Sequence, residues 1–270
     1  MLTIKEEAML ITSKDNPNIK LYIKLRDQKK ARVENDMFVL EGARIIADAV
    51  KENVKIECAF VTDEAAIKYP ETLSLLSEGI GDRLHFIPSE IAARLSDTKG
   101  SQGIFAIAAR LDKTLDIDKI NNGGKFLILN CVQDPGNVGT ILRVADAVGI
   151  NGVFLCGNSC DIYNPKIVRS TMGSMFRLPI CDDLSYSETV SLLKQKGIPT
   201  YASVIDTDAH SVRGFGFPSD CAVVIGNEGN GLTREEALMC DARITIKMSG
   251  NINSLNAAMA AGIILWEMTK

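Results

Sequence analysis

Hydrophobic positions along the chain alternate between two rhythms. Short, nearly unbroken apolar runs such as Phe126-Leu127-Ile128-Leu129 and Cys221-Ala222-Val223-Val224-Ile225 have the length of strands buried on both faces. Between them, apolar residues recur three and four apart, the spacing of a helix with one buried side. In the second half of the chain this predicts strands over 126–129, 152–156, 199–204, 221–225 and 243–246, with helices over 139–149, 187–196 and 254–269. Continuous apolar strands alternating with helices imply a parallel sheet covered on both faces.

The first half has shorter elements. A helix is predicted over 16–32, opened by Asn16-Pro17 and striped by Ile19, Tyr22, Ile23 and Leu25. It is strongly basic: Lys14, Lys20, Lys24, Arg26, Lys29, Lys30 and Arg32 face only Asp15 and Asp27. A strand at 38–40 ends in the Glu41-Gly42 turn, a helix follows over 43–50, and β-type runs recur at 56–62, 84–88 and 104–109. The polar stretch 112–124 closes with Asn121-Asn122-Gly123-Gly124, which is linker chemistry. The expected organisation is an α/β unit over 1–111, a linker over 112–124 and a larger α/β domain over 125–270.

Composition narrows the classes. With 46% hydrophobic and 24% charged residues among 270, the chain can bury an ordinary core. No apolar run reaches the ~18–20 residues of a membrane span, and Lys5, Glu6 and Glu7 stand where a signal peptide would be apolar. A cytoplasmic protein without a membrane partner is expected. The net charge of −4 means that nucleic-acid binding would depend on a local basic patch. Seven scattered cysteines without a C-x-x-C pair, and only His85 and His210 beside them, read as reduced thiols and leave no expected metal site.

In an open parallel sheet, ligands collect in loops after the carboxyl ends of strands. Three such loops are rich in amides and glycine: 130–139, leading into a helix that carries Arg143; 226–232; and 248–256. Each also has a purely structural explanation. Asn137 could cap the helix after it, the glycines could only turn the chain, and Ser254 could be the N-cap of the last helix. The glycines Gly226, Gly229 and Gly231 follow G-x-x-G-x-G, not the dinucleotide order, and no phosphate loop or nucleophile elbow occurs. Hydride transfer, ATP hydrolysis and serine-hydrolase chemistry lack support. What is left, Asn137, Arg143, Glu228, Ser254, Asn256 and backbone amides, suits holding a polar cofactor and orienting an oxygen nucleophile.

Those residues carry a resemblance. Asp134-Pro-Gly-Asn-Val-Gly-Thr-Ile-Leu-Arg143, Ile225-Gly-Asn-Glu-Gly-Asn-Gly-Leu232 and Asn253-Ser-Leu-Asn-Ala-Ala257 resemble, in order, the three motifs of the SpoU (TrmH-type) RNA ribose 2′-O-methyltransferases of the SPOUT superfamily. Arg169-Ser-Thr-Met-Gly-Ser-Met-Phe-Arg-Leu-Pro179 resembles the segment between the first two, and 16–42 is similar to the opening of the family's small substrate-binding domain. The sequence departs from the pattern at Lys247, where many members have proline.

The resemblance implies a deep trefoil knot in the C-terminal domain, S-adenosylmethionine as cofactor, a homodimer, and methylation of a ribose 2′-hydroxyl. It favours ribosomal over transfer RNA, because the separate N-terminal domain occurs in many rRNA-directed relatives. It places Asn137, Arg143, Glu228, Ser254 and Asn256 at the family's catalytic positions, and Gly226, Ile246 and Leu255 where backbone meets the cofactor's adenine and ribose. Arg143 would contact an RNA phosphate and share in deprotonating the hydroxyl, in cis or from a second subunit. Since arginine stays protonated near neutral pH, phosphate positioning is the preferred role. Lys24, Arg26, Lys29 and Lys30, with Arg169 and Arg177, are the candidate RNA contacts. Two readings from other classes stay open: a non-catalytic RNA-binding or ribosome-assembly protein on the same fold, and a small-molecule methyltransferase, which the extra domain disfavours.

Overall fold

The computed structural model describes residues 9–111 and 124–270, so the expected linker lies outside the described residues except for Gly124. Up to residue 111 the chain forms β1 (Met9–Leu10), α1 (Pro17–Asp27), α2 (Lys29–Asn35), β2 (Met37–Glu41), α3 (Ala43–Lys51) and β3 (Ile56–Val61). It continues with α4 (Asp63–Lys68), α5 (Pro70–Ile80), β4 (Leu84–Phe86), α6 (Ser89–Leu95) and β5 (Ile104–Ala109). Beyond residue 124 come β6 (Lys125–Asn130), α7 (Pro135–Ala147), β7 (Gly152–Cys156), α8 (Pro165–Thr171), β8 (Ile180–Leu184) and α9 (Tyr186–Gln195). The last elements are β9 (Thr200–Ser203), β10 (His210–Ser211), β11 (Cys221–Ile225), α10 (Arg234–Leu238), β12 (Ala242–Thr245) and α11 (Ala257–Met268).

The chain divides into two compact units, Met1–Asp112 with Tyr163–Phe176, and Lys113–Ile162 with Arg177–Lys270. The sequence pattern assigns all of 125–270 to one domain. Tyr163–Phe176 packs into the first unit instead, because its buried face and its cation find partners there. The Tyr163 ring lies 5.0 Å from that of Phe38, Ile167 and Val168 are buried, and Arg169 pairs with Asp97 and Glu41.

The first unit holds a mixed five-stranded sheet in the order β1-β4-β3-β5-β2. Strand β5 runs antiparallel to β2 and β3, while β3, β4 and β1 are parallel. Tyr22 of α1 anchors its core, edge-on to Phe60 and Phe105 at 6.1 and 5.7 Å, with its hydroxyl donating to the Leu40 carbonyl.

The single basic helix expected over 16–32 is two helices. Asn16 caps the first through the Asn18 N–H and Pro17 fills its first turn, but Gln28 adopts an extended conformation and ends it. Arg32 then folds back, 4% exposed, to donate to the carbonyls of Leu25 and Arg26 at 2.6 and 3.2 Å. This satisfies the open carbonyl end of α1 with a cation. Arg26 likewise donates to the carbonyls of Arg94 and Leu95 and pairs with Asp27.

The second unit is built on a wholly parallel seven-stranded sheet, β10-β12-β9-β11-β6-β7-β8. Its central strands β6, β7 and β11 are the apolar runs of the sequence. Strand β8 escapes the pattern because Asp182 and Asp183 interrupt it at the sheet edge, and β10 is only two residues long. All seven cysteines are free. Burial, the leading cause, pushes the thiol of Cys58 up to about 12 and those of Cys156, Cys160 and Cys221 to about 11. Those four stay protonated near neutral pH.

Candidate active site

Strands β6, β11 and β12 end along one edge of the parallel sheet, and the three amide-rich loops leave from there. After β6 the backbone passes through Cys131 in the left-handed conformation (φ 58°), a costly geometry for a residue with a Cβ. The Cys131 carbonyl accepts from Asn227 Nδ2 at 2.9 Å. Helix α7 begins earlier than the apolar pattern indicates: Asp134, not Asn137, is its cap, accepting from the Asn137 N–H at 2.9 Å, with Pro135 in the first turn. The Asn137 side chain is thereby free for other work.

The loop after β11 closes on itself. Asn227 and Gly231 exchange backbone hydrogen bonds of 3.2 and 2.8 Å, and Asn227 Oδ1 accepts from the N–H groups of Gly229 and Asn230. Gly226 makes this closure possible, since a Cβ there would stand 2.5 Å from the Gly231 carbonyl carbon. After β12, Asn256 rather than Ser254 caps the last helix, accepting from the N–H groups of Ala258 and Met259.

Glu228 joins the loops. Its carboxylate accepts from the N–H of Gln133 at 3.1 Å, the N–H of Asp134 at 2.8 Å and Asn137 Nδ2 at 3.1 Å. Asn137 Oδ1 in turn accepts from Asn256 Nδ2 at 2.9 Å. Three of the five expected catalytic residues are therefore consecutive links of one polar latch. Burial alone would raise the Glu228 carboxyl, but the hydrogen bonds from Asp134, Gln133 and Asn137 outweigh it and hold the group below its ordinary value.

Beside the latch lies a cavity of about 750 Å³ lined by the 226–232 loop, Thr245, Ile246, Met248, Ser254, Leu255, Ala257 and Ala260, and by Asp206 and Arg243. Gly226, Ile246 and Leu255 all line it, together with Glu228 and Ser254. Ser254 is exposed. Arg143 is exposed on α7, makes no ion pair with any described residue, and does not line the cavity.

The expected RNA contacts divide by side-chain type. Lys24, Lys29 and Lys30 are exposed, Lys30 lying 3.7 Å from Glu34. Arg26 is tied to backbone carbonyls as described above. Arg169 donates to Asp97 at 3.0 Å, and Arg177 donates to Asp146 through Nε and Nη2 at 3.0 and 2.6 Å. Sequence reasoning overlooks Asn227, whose side chain both shapes its own loop and grips the Cys131 carbonyl. It also overlooks the Asp206–Arg243 pair on the cavity wall. Asn227 stands within one of the three motifs; the pair, far apart in the sequence, carries no signal.

A profile of the SpoU rRNA methylase family matches residues 124–266, more than half of the chain and all three loops. The chain belongs to the SpoU rRNA methylase family. An MRM3-like substrate binding domain matches residues 16–106. Among SpoU relatives, a 23S rRNA (guanosine(2553)-2′-O)-methyltransferase of Bacillus subtilis is 29% identical over 258 residues, 96% of this chain and 98% of the relative. The AdoMet-bound rRNA methyltransferase of Sinorhizobium meliloti superposes with a TM-score of 0.84 at 28% identity, over 97% of both chains. The SpoU methyltransferase AviRb of Streptomyces viridochromogenes, in complex with AdoMet, superposes with a TM-score of 0.83 at 25% identity, over 94% of this chain and 97% of AviRb.

The cavity fits that cofactor. Its volume falls within the ~300–1,000 Å³ usual for small-molecule sites, and apolar side chains (Leu232, Ile246, Leu255) lie beside carboxylates and loop amides. Such a lining matches a flat nucleoside joined to a cationic amino-acid arm.

Because Glu228 is held below its ordinary value of 4.5, the latch is fully formed above that pH and weakens as pH falls through the lowered value. Glu228→Gln is expected to lower the melting temperature near neutral pH by about 2–4 °C and to flatten its acid-side slope. Melting curves identical to the parent's at neutral and acid pH would show that the carboxylate does not hold the loops.

Proposed function

We propose that this protein methylates a ribose 2′-hydroxyl in structured RNA, ribosomal RNA in preference to transfer RNA, with S-adenosylmethionine held in the cavity beside the latch. The observation that carries the proposal is the Glu228–Asn137–Asn256 chain of hydrogen bonds, which assembles three distant motifs around one ligand-sized space. When bound, the cofactor supplies an electrophilic methyl carbon. The protein's task is then to bring one hydroxyl oxygen into line and exclude other arrangements, a contribution that reaches ~7–11 kcal/mol in the best-oriented systems.

Gly226, Ile246 and Leu255 bind the nucleoside part of the cofactor. Ser254, exposed on the cavity wall, offers a hydroxyl to the incoming ribose. Glu228 is not the base: its carboxylate is occupied by the donors described and stays ionised, so it has little affinity for a proton. Arg143, an exposed guanidinium without an ion-pair partner among the described residues, takes the phosphate next to the target ribose. Exposed Met259, Ile263 and Trp266 (61%, 38% and 61%) form a stripe at helical spacing on α11, which supports a homodimer through that face. The trefoil knot and a cytoplasmic setting belong to the same proposal; no described helix is long and apolar enough to cross a membrane. On the first unit, Lys24, Lys29 and Lys30 supply RNA phosphate contacts.

Transfer of labelled methyl groups to ribosomal RNA tests the assignment. Arg143→Ala is expected to cut transfer about 100-fold with calorimetric cofactor affinity retained, whereas Asn137→Ala, which breaks the latch, weakens both. Full transfer by both variants would remove these residues from the mechanism, and none by the parent would favour a non-catalytic RNA-binding role. Replacing Lys24, Lys29 and Lys30 together by alanine is expected to reduce the slope of log affinity against log salt by ~0.7–0.9 for each phosphate that is no longer neutralised. An unchanged slope would place RNA elsewhere.

A further inference from the structure

A second cavity, of about 280 Å³, lies entirely within the first unit. Its walls come from the end of β2 and the start of α3, from Thr98, Gly100 and Gln102, and from Arg169 and Met172. Some of its polar groups are spent. Glu41 accepts from Ser96 Oγ, Thr98 Oγ1 and the Asp97 N–H at 2.6, 2.9 and 3.1 Å. Gln102 Oε1 accepts from the Ala43 N–H at 2.7 Å, closing the start of α3.

Others are unspent. Arg169 Nη1 is buried without a hydrogen bond, although Glu41 Oε2 is 3.6 Å away. Arg44 and Asp48, one helical turn apart on α3, make no side-chain hydrogen bond or ion pair with any described residue. The backbone keeps the Asp48 carboxylate clear: Gly173 (φ +87°) leaves room where a Cβ would come within 3.0 Å of Asp48 Oδ2. Met172, left-handed at φ 48°, is 39% exposed and lines the cavity. A residue with a Cβ held in that conformation beside a cavity is the kind of strain that accompanies ligand sites.

The formal charges of the lining cancel, Glu41 against Arg169 and Arg44 against Asp48. A phosphate alone would meet two carboxylates and gain little. A neutral ring with separate donor and acceptor edges gains from both, and the space suits one ring system rather than a length of backbone. A carboxylate only accepts and takes two adjacent donors best, while a guanidinium only donates and matches two adjacent acceptors. Guanine combines these features, with N1–H and N2–H₂ on one edge and O6 and N7 on another. Sequence-specific RNA recognition works through such unstacked bases.

We propose that this cavity receives one unstacked guanine of the RNA, with Asp48 accepting from its Watson–Crick edge, Arg44 donating to O6 and N7, and Met172 against the ring. The proposal rests on RNA being the substrate.

Fluorescence anisotropy with short oligouridylates carrying one central guanosine, inosine or adenosine tests it. The unmodified protein is expected to bind the guanosine oligomer about tenfold more tightly than the inosine oligomer, the value of one hydrogen bond to a charged group, and more tightly still than the adenosine oligomer, which lacks N1–H and O6 as well. Asp48→Asn should abolish the preference over inosine, which lacks the N2 amino group. Arg44→Ala, a change at an exposed side chain, should cut the preference over adenosine about tenfold, since Asp48 still selects the N1–H and N2 amino group that adenosine lacks, and should leave the preference over inosine in place. Equal affinity for all three oligomers, or discrimination unchanged in both variants, would overturn the proposal. Methyl transfer to ribosomal RNA by the same preparations separates the two claims. Transfer without discrimination removes the guanine pocket alone, and discrimination without transfer removes the catalytic assignment while the pocket stands.

Discussion

The site depends on a carboxylate that three donors from a different part of the chain require. The N–H groups of Gln133 and Asp134 emerge from β6 with no strand partner, and Glu228 satisfies both while also taking Asn137. Charge-assisted bonds of this type are stronger than neutral ones and fix direction as well as distance. The same carboxylate thus orients Asn137, which holds Asn256, which caps α11 and fixes the end of the 248–256 loop. The cavity takes part of its wall from the loops that this tie holds, together with the ends of β11 and β12 and the start of α11.

A second constraint explains how a chain of net charge −4 can meet RNA. Its arginines are largely spent on construction. Arg32 and Arg26 close helix ends in the first unit, Arg169 completes the Glu41–Asp97 network, and Arg177 braces Asp146. The planar fork of arginine suits such fixed, multidentate work, while lysine suits a solvated point charge. Lys20, Lys24, Lys29 and Lys30 are accordingly cations left outward on α1 and α2, and Arg143 and Arg44 belong to the arginines without ion-pair partners among the described residues.

Much of this was legible in the sequence. Apolar runs located β6, β7, β9, β11 and β12, because buried parallel strands announce themselves by composition, and strand-end amides located the three loops. The caps stayed open. Asp134 and Asn256 each had a plausible neighbour in Asn137 and Ser254, and only three-dimensional pairing decides which side chain turns inward. The break at Gln28 was hidden because 26–32 contains neither glycine nor proline and its lysines, arginines and alanine are good helix formers. The placement of Tyr163–Phe176 was hidden for a different reason: its partners, Phe38, Glu41 and Asp97, lie far back in the chain, and no local pattern reports such a distance. The same distance concealed the cavity around Asp48 and Met172.

Hydrogen–deuterium exchange with and without S-adenosylmethionine addresses the central claim directly. If one latch holds three loops around one ligand, the cofactor will slow exchange in 133–139, 226–232 and 248–257 together, and Glu228→Ala will erase the effect in all three. Protection confined to a single loop, or none at saturating cofactor, would show that the loops do not form one site.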